Sequence, residues 1–310
     1  MSYPTTRRSF LAASASLPLL GVTTKRQLED QEQAQTAPFE ISLAQWSSHR
    51  TLQAGLTNLD WISSVRSKFE VHAVEFVNAF FKRELFGSGS CNWGYLGEMK
   101  LRALDGGVAM LLIMIDGEGS LAAENEGQRQ AAIGAHHKWI VAASYLGCHS
   151  IRVNAAGSGD LSEMQKRAAE SLVNLADFGE PYGINIIVEN HGGPSSNGAW
   201  LAGVMAAADH PRVGTLPDFG NFRIQGGEWY DRYKGVSELM PYAKAVSAKS
   251  HEFGADGNET GTDYRKMLAI VLEAGYHGHV GIEYEGSKHT EDQGIRLTRD
   301  LLLRLQKELA

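Results

Sequence analysis

Acidic and imidazole side chains follow four β-rich runs in the second half of the chain. Glu189, Asp218 and Glu283 each come directly after an apolar run, and His251 follows a fourth. If these runs are parallel strands of one barrel, their carboxyl ends lie on the same face. We therefore expect two Glu, one Asp and one His to surround a single point.

Three carboxylates held this close repel one another, and each raises the pKa of the others unless a cation sits among them. A divalent metal is the simplest remedy, and it can keep open positions for substrate oxygens. An oxygen-rich donor set with one imidazole favours Mn²⁺ above all, then Mg²⁺ or Co²⁺, while Zn²⁺ remains compatible. The residue types thus predict a metal centre that handles an oxygen-bearing substrate.

Each of these residues also has an ordinary structural explanation. A single Glu at a strand end is often solvated or caps the next helix, and Asp218 before Phe-Gly could be a plain turn residue. A single His such as His251 is more often a surface or packing residue. Their occurrence at successive strand ends on one face favours the functional interpretation.

Short β-rich runs alternate with helical patterns from Phe39 onward, which predicts a single-domain α/β protein with a (β/α)8 TIM barrel. An open doubly wound sheet is the competitor, but no G-x-G-x-x-G follows the first run. The predicted strands are Glu40–Gln45, Ala73–Val77, Val108–Ile115, Ser150–Asn154, Asn185–Glu189, Val213–Pro217, Lys244–Lys249 and Val280–Tyr284. The predicted helices are Thr57–Lys68, Gly127–Leu146, Ser162–Tyr182, Ala199–Ala208, Asp263–Ala274 and Glu291–Leu309.

The charge and composition of the chain indicate which classes of binding partner fit it poorly. The 310 residues carry a formal net charge of −7, and 43% of them are hydrophobic. No run of Lys or Arg follows the first 26 residues, which argues against nucleic acid and anionic membranes as partners. The two cysteines, Cys91 and Cys148, lack metal-ligand spacing, so we expect free thiols.

The N-terminal segment has the features of an export signal. Thr6-Arg7-Arg8-Ser9-Phe10-Leu11 precedes an apolar stretch, which is typical of a twin-arginine signal, and a polar, Gln-rich spacer follows. The alternative is a chance Arg-Arg pair before a buried helix. We assign residues 1–37 to signal and spacer and 38–310 to the barrel. This predicts a periplasmic or extracellular protein whose signal is either cleaved or kept as an anchor.

From about Phe39 to the C-terminus the sequence resembles the xylose-isomerase-like barrels, a superfamily of sugar phosphate isomerases and epimerases, and within it the exported twin-arginine branch. The segments AVEFVN from Ala73, LIMIDGEG from Leu112 and HSIRVN from His149 carry the resemblance, together with the acidic strand ends. It implies four metal ligands: a Glu, an Asp, a His on strand seven and a Glu. Many relatives carry that His two residues before a Lys, where this chain has Ser247 before Lys249. His251 would point to the same side of an extended strand and is our choice, with water or Ser247 as the alternative.

In similar epimerases, two metal-bound Glu residues lie on opposite faces of the substrate. One removes a proton alpha to a carbonyl, the metal stabilises the enediolate, and the other returns a proton. The resemblance gives these roles to Glu189 and Glu283, with Asp218 and His251 as ligands only. Candidate substrate contacts are Trp46, His49, Arg152, His191, Lys249 and Glu285.

The predicted function is a sugar isomerase or epimerase with a small carbohydrate substrate. A lyase that cleaves 3-keto-glycosides would use the same intermediate, and export favours it mildly. Related DNA-repair endonucleases carry a His three residues after the strand-six Asp, where this chain has Asn221. A sugar-binding barrel without catalysis is the alternative from another class. Barrels of this kind are often dimers or tetramers, so a homo-oligomer is compatible with the resemblance.

Overall fold

Eight parallel strands alternate with helices in the structure, a computed structural model that describes residues 37–224 and 226–310. The predicted export signal and spacer lie outside the described residues, apart from residue 37. The strands, β1 to β8, are Glu40–Ala44, Ala73–Val77, Ala109–Met114, Ser150–Val153, Asn185–Glu189, Val213–Leu216, Val246–Ser250 and His279–Tyr284.

Ten α-helices lie within the described residues and connect or follow these strands. Several begin at side chains that accept hydrogen bonds from the first turn: Thr57, Asp160 and Thr290 cap their helices in this way. The helices, α1 to α10, are His49–Gln53, Asn58–Phe69, Lys82–Phe86, Trp93–Gly106, Glu126–Leu146, Leu161–Gly179, Gly198–Ala208, Arg232–Leu239, Tyr264–Glu273 and Glu291–Leu309. None of the described helices is long and apolar enough to cross a membrane.

The strands close into a barrel. Their order is β6-β5-β4-β3-β2-β1-β8-β7, so β1 pairs with both β2 and β8. Backbone hydrogen bonds join the two ends: Ser247 N–H donates to Pro217 O at 2.9 Å, and Phe219 N–H donates to Ser247 O at 3.0 Å. The predicted (β/α)8 barrel is thereby confirmed.

Two apolar layers follow from the alternation of side chains along each strand. The larger layer contains residues of both strands and helices and fills the space between them. The smaller layer faces the barrel axis and contains residues of the strands or directly before them: Ala44, Val77, Leu112, Met114, Ile187, Leu216 and Ala245. A side chain two residues beyond any of these also faces the axis, which fixes where the strand-end residues point.

All six predicted helices are present, with ends that differ by a few residues. Four helices were missed: the five-residue α1 and α3, the 14-residue α4 (Trp93–Gly106) and the eight-residue α8 (Arg232–Leu239). The α4 sequence exposes Leu101 and Leu104, which blurs its apolar face, and α8 is only eight residues long. Both predicted free cysteines are free in the structure.

Candidate active site

Three buried carboxylates meet at the carboxyl ends of β5, β6 and β8. One ligand oxygen from each of Glu189, Asp218 and Glu283 lies within 4.8 Å of the other two. The residues are 1%, 0% and 4% exposed, respectively. The strand-end argument therefore places these three side chains correctly, at one point on the barrel axis.

Strand register explains the convergence. Glu189 is two residues beyond Ile187, and Asp218 is two beyond Leu216, so both inherit the inward direction of the apolar layer. Glu283 stands opposite Lys249 in the β7–β8 pairing. The alternation that turns the apolar side chains of the inner layer towards the barrel axis therefore also turns the carboxylates towards it, at the carboxyl ends of the strands.

Ser247 links two of the carboxylates. Its Oγ lies 2.7 Å from both Asp218 Oδ2 and Glu283 Oε2. A hydroxyl has one hydrogen to donate, so the second short contact needs a proton on a carboxyl oxygen or a hydrogen shared between the two. Asp218, Ser247 and Glu283 thus form one proton-sharing chain.

Two fixed cations offset much of the negative charge. Lys249 Nζ lies 3.4 Å from Glu283 Oε1 and 4.0 Å from Asp218 Oδ2. On the other side, Arg152 Nε lies 3.0 Å from Glu189 Oε2. Both cations are nearly fully buried, at 3% and 4% exposure. Buried charges of this kind are tolerated only when they are paired.

The three carboxyl groups differ in their pKa values. Burial raises the pKa of Glu189 to about 7, against the opposing effect of Arg152. Burial likewise raises the pKa of Asp218 to about 7, although Lys249 opposes it. Burial acts in the same direction on Glu283, but Lys249 and Ser247 outweigh it and hold its pKa below the ordinary value. Glu283 therefore ionises most readily of the three, whereas Glu189 and Asp218 are the groups that more readily keep a proton.

The donor set fits a divalent ion that prefers oxygen. Three carboxylates and a hydroxyl are hard ligands, the kind that Mg²⁺ and Mn²⁺ take. Glu189 Oε2 is buried and makes no hydrogen bond, because the Arg152 N–H beside it is not aligned with it. An unpartnered buried carboxylate oxygen within such a group offers an ion a ready ligand.

His251 does not join the carboxylates, contrary to expectation. Strand β7 ends at Ser250, so the alternation on which the prediction relied stops one residue too early. The His251 side chain is 49% exposed, and its Nε2 lies 3.9 Å from Glu285 Oε2. Ser247, the alternative, occupies the position between the carboxylates.

The remaining predicted contacts lie at the mouth or in the wall of the site. Glu285 Oε1 is 3.4 Å from Lys249 Nζ. The Trp46 and His49 rings stack at 4.8 Å, and Trp46 packs on the inner apolar layer. His191 is exposed, with Nδ1 3.3 Å from Asn154 Oδ1.

Sequence reasoning missed two residues that hold the site together. Asn221 Nδ2 donates to Glu189 Oε1 at 2.9 Å, and its Oδ1 accepts from Lys249 at 3.2 Å. Asp116 accepts from Arg152 Nη1 at 2.9 Å. Asp116 directly follows the predicted third strand, so the strand-end rule could have found it. Asn221 lies in a loop and carries no comparable signal.

The fold and the site define a (β/α)8 barrel with an acidic centre at its carboxyl face. The chain belongs to the xylose isomerase-like TIM barrel family, whose sequence profile matches residues 71–305. Comparison with curated proteins gives no significant match.

Solved structures share the whole barrel at low sequence identity. The 3-keto-D-glucoside 4-epimerase from E. coli is 14% identical with a TM-score of 0.67, over 86% of this chain and 99% of that one. A D-tagatose 3-epimerase-like protein is 16% identical with a TM-score of 0.67, over 88% and 100%. A xylose isomerase-like TIM barrel protein from Mycobacterium smegmatis, in complex with magnesium, is 17% identical with a TM-score of 0.64, over 89% and 99%. These structural neighbours thus include sugar epimerases.

Proposed function

We propose that this protein is a divalent-metal-dependent sugar isomerase or epimerase that abstracts a proton alpha to a carbonyl. The observation that carries the proposal is the trio of Glu189, Asp218 and Glu283, buried with ligand atoms within 4.8 Å of one another at the carboxyl face. Family membership and the sugar epimerases among the structural neighbours support a carbohydrate substrate.

The three carboxylates, with Ser247 beside them, would hold the ion, and Mn²⁺ is our first choice among oxygen-preferring ions. When bound, the ion would polarise the substrate carbonyl and hold the developing negative charge. Since Ser247 stands where relatives carry a His, the donor set is more oxygen-rich than theirs. This difference favours Mg²⁺ or Mn²⁺ over softer ions.

Glu283 and Glu189 act as the base and acid of the reaction. One of the two removes the substrate proton from one face and the other returns a proton, since both carboxyl groups are buried at the same point of the barrel. Asn221 donates to Glu189 and accepts from Lys249, so it fixes the direction of both side chains. Lys249 is the cation closest to Glu283 and, with Arg152 and Glu285, is placed to contact substrate oxygens.

A second outcome of the same proton removal is supported by the similarity to a 3-keto-D-glucoside 4-epimerase. After loss of the alpha proton, a substrate with a leaving group beta to the carbonyl can expel that group instead of taking up a proton. The C–O bond to the leaving group breaks, a C=C bond forms, and the leaving group takes a proton. Release of a free aglycone from a 3-keto-glycoside distinguishes this lyase reaction from epimerisation.

The proposal includes export by the twin-arginine pathway, which rests on the Arg7-Arg8 segment. This pathway carries folded proteins, so a metal bound before export would remain with the protein. Changing Arg7 and Arg8 together to Lys is expected to keep the protein in the cytoplasm, as fractionation of the host would show.

The test is solvent-deuterium uptake by purified protein loaded with Mn²⁺ and given ketoses and 3-keto-glycosides. We expect deuterium at the carbon beside the carbonyl, and a loss of about 100-fold or more in Glu189→Gln and Glu283→Gln. Glu228→Gln, a change at an exposed loop carboxylate, is the matched control and should leave uptake unchanged.

Two outcomes would overturn the proposal. Normal uptake in both Gln variants would show that these carboxylates do not move the proton. Saturable sugar binding with no uptake for any substrate, with or without Mn²⁺, would identify a binding protein instead.

A further inference from the structure

A cavity with mixed polar and apolar lining lies at the opposite end of the barrel from the carboxylate site. It has a volume of about 230 Å³. Several of its lining residues stand just before a strand or at its start, so the cavity lies towards the amino ends of the strands. Its lining residues are Glu75, Leu111, Leu112, His149, Lys244, Ala245, Tyr276, Gly278 and His279.

One lining residue is a buried carboxyl group: Glu75 lies in the middle of β2 and is 1% exposed. Ser42 Oγ donates to its Oε1 at 2.6 Å, while Oε2 is buried and makes no hydrogen bond in the described structure. Burial raises the pKa of Glu75 to about 8, so the group is neutral at pH 7. Because Oε1 already accepts from Ser42, the hydrogen belongs on Oε2, which becomes a buried donor without an acceptor.

A cation also lines the cavity: Lys244, which lies just before β7 and is partly exposed. Among the described residues Lys244 forms no salt bridge, whereas Lys249 further along β7 pairs with three carboxylates. Partial burial lowers the pKa of Lys244, and the nearby Arg212 lowers it further. His149 also lines the cavity, whereas His279 is already paired with Glu40 Oε2 at 2.8 Å.

Glycines make room for both polar side chains. A Cβ on Gly281 would lie 2.5 Å from Glu75 Oε1, and one on Gly214 would lie 2.9 Å from Lys244 Cγ and Cε. Any larger residue at either position would displace the neighbouring side chain. The backbone therefore accommodates Glu75 and the stem of Lys244 in the positions that they hold.

We propose that this cavity binds a small monocarboxylate anion, which accepts the hydrogen of Glu75 and pairs with Lys244. An oxyanion satisfies a donor without an acceptor and a cation without a counterion at once, which a metal cation cannot do. The walls formed by Leu111, Leu112 and Ala245 suit a short hydrocarbon end. A single negative charge also suits a partly apolar cavity better than a sulfate dianion, because its desolvation costs less.

The test measures the melting temperature of the full chain in sodium acetate against sodium chloride at equal ionic strength. A site of this kind gives a saturable rise, about 3 °C at ten times the dissociation constant. Lys244→Met keeps the alkyl stem over Gly214 but removes the charge, and should weaken acetate binding by at least about tenfold. Lys307→Met, at an exposed lysine of α10, is the matched control and should keep the full rise.

A second measurement does not depend on a variant that folds. The ¹⁹F resonance of trifluoroacetate should broaden or shift in the presence of wild-type protein and recover on addition of acetate but not chloride. An equal acetate effect in wild type and Lys244→Met would show a general salt effect and overturn the proposal. Absence of both a saturable rise and a displaceable ¹⁹F signal would do the same. Loss of Mn²⁺ binding at the opposite face bears on the proposed function alone.

Discussion

Glu75 provides a prediction about stability whose size follows from its pKa. A neutral carboxyl in the folded barrel must keep its proton while the same group ionises freely in the unfolded chain. The folded pKa is about 8 and the ordinary value is 4.5. Because the folded pKa is raised, stability from this group is fully present below pH 4.5 and is lost as the pH rises through 8.

Glu75→Gln should abolish this loss. The amide oxygen can still accept from Ser42, and the amide nitrogen replaces the protonated Oε2. Between pH 4.5 and 7 there are 2.5 pH units, which at about 1.4 kcal/mol each give a relative stabilisation of roughly 3–4 kcal/mol at pH 7. The difference should vanish near pH 4 and become constant above about pH 8.

The assay is urea unfolding of the wild type and the variant at pH 4, 5.5, 7 and 8.5. Glu228→Gln, at an exposed loop carboxylate, is the control and should follow the wild type throughout. A free-energy difference between Glu75→Gln and wild type that stays flat across this range would refute the neutral, buried carboxyl. A destabilised variant at pH 7 would refute it equally.

Three further predictions test the barrel interior. Gly281→Ala should lower the free energy of unfolding by about 1–3 kcal/mol, because the new Cβ would lie 2.5 Å from Glu75 Oε1. The loss should be smaller when the same change is made in a Glu75→Ala protein, and urea unfolding of the four proteins measures both losses. Chelator-treated protein should melt at a lower temperature at pH 8 than at pH 5, because burial raises the pKa values of Glu189 and Asp218 to about 7. Added Mn²⁺ should raise the melting temperature more at pH 8 than at pH 5. Equal melting temperatures of the chelator-treated protein at the two pH values would contradict this prediction. Burial raises the pKa of the Cys148 thiol to about 12, so a thiol reagent should modify one cysteine in the native protein and both after unfolding; rapid labelling of both would refute its burial.

The fold was largely readable from the sequence because the strands are short, apolar and regularly spaced. All eight predicted strands exist, within a few residues at each end. The helices α4 and α8 were harder to predict from the sequence, because an amphipathic helix is recognised by the contrast between an apolar and a polar face. Exposed leucines such as Leu104, at 75% exposure, remove that contrast in α4.

The site was predictable only as far as strand pairing continues, and for Asp218 that pairing includes the isolated bridge to Ser247 beyond the end of β6. Glu189 and Glu283 are the last or next-to-last residues of their strands, so the rule of alternation fixed their direction. His251 lies one residue beyond β7, where that rule no longer applies. Asn221 reaches Glu189 from a loop, and no periodic pattern could have placed it.

The axis of this barrel is mostly polar, and that arrangement has an energetic consequence. Among the described residues, seven buried apolar side chains form the inner layer, with Trp46 and Phe80 packed against them, whereas the layer between strands and helices holds most of the buried apolar residues. The layer between strands and helices therefore supplies most of the stability. The barrel axis can then hold polar groups, Glu75 towards the amino ends of the strands and the three carboxylates at the carboxyl ends. Carboxylates along one axis act on each other's pKa: the charge of Glu283 contributes to the raised pKa of Glu75. Neutralising the carboxylate site should accordingly ease ionisation of Glu75, which links the two ends of the barrel through charge without a conformational change.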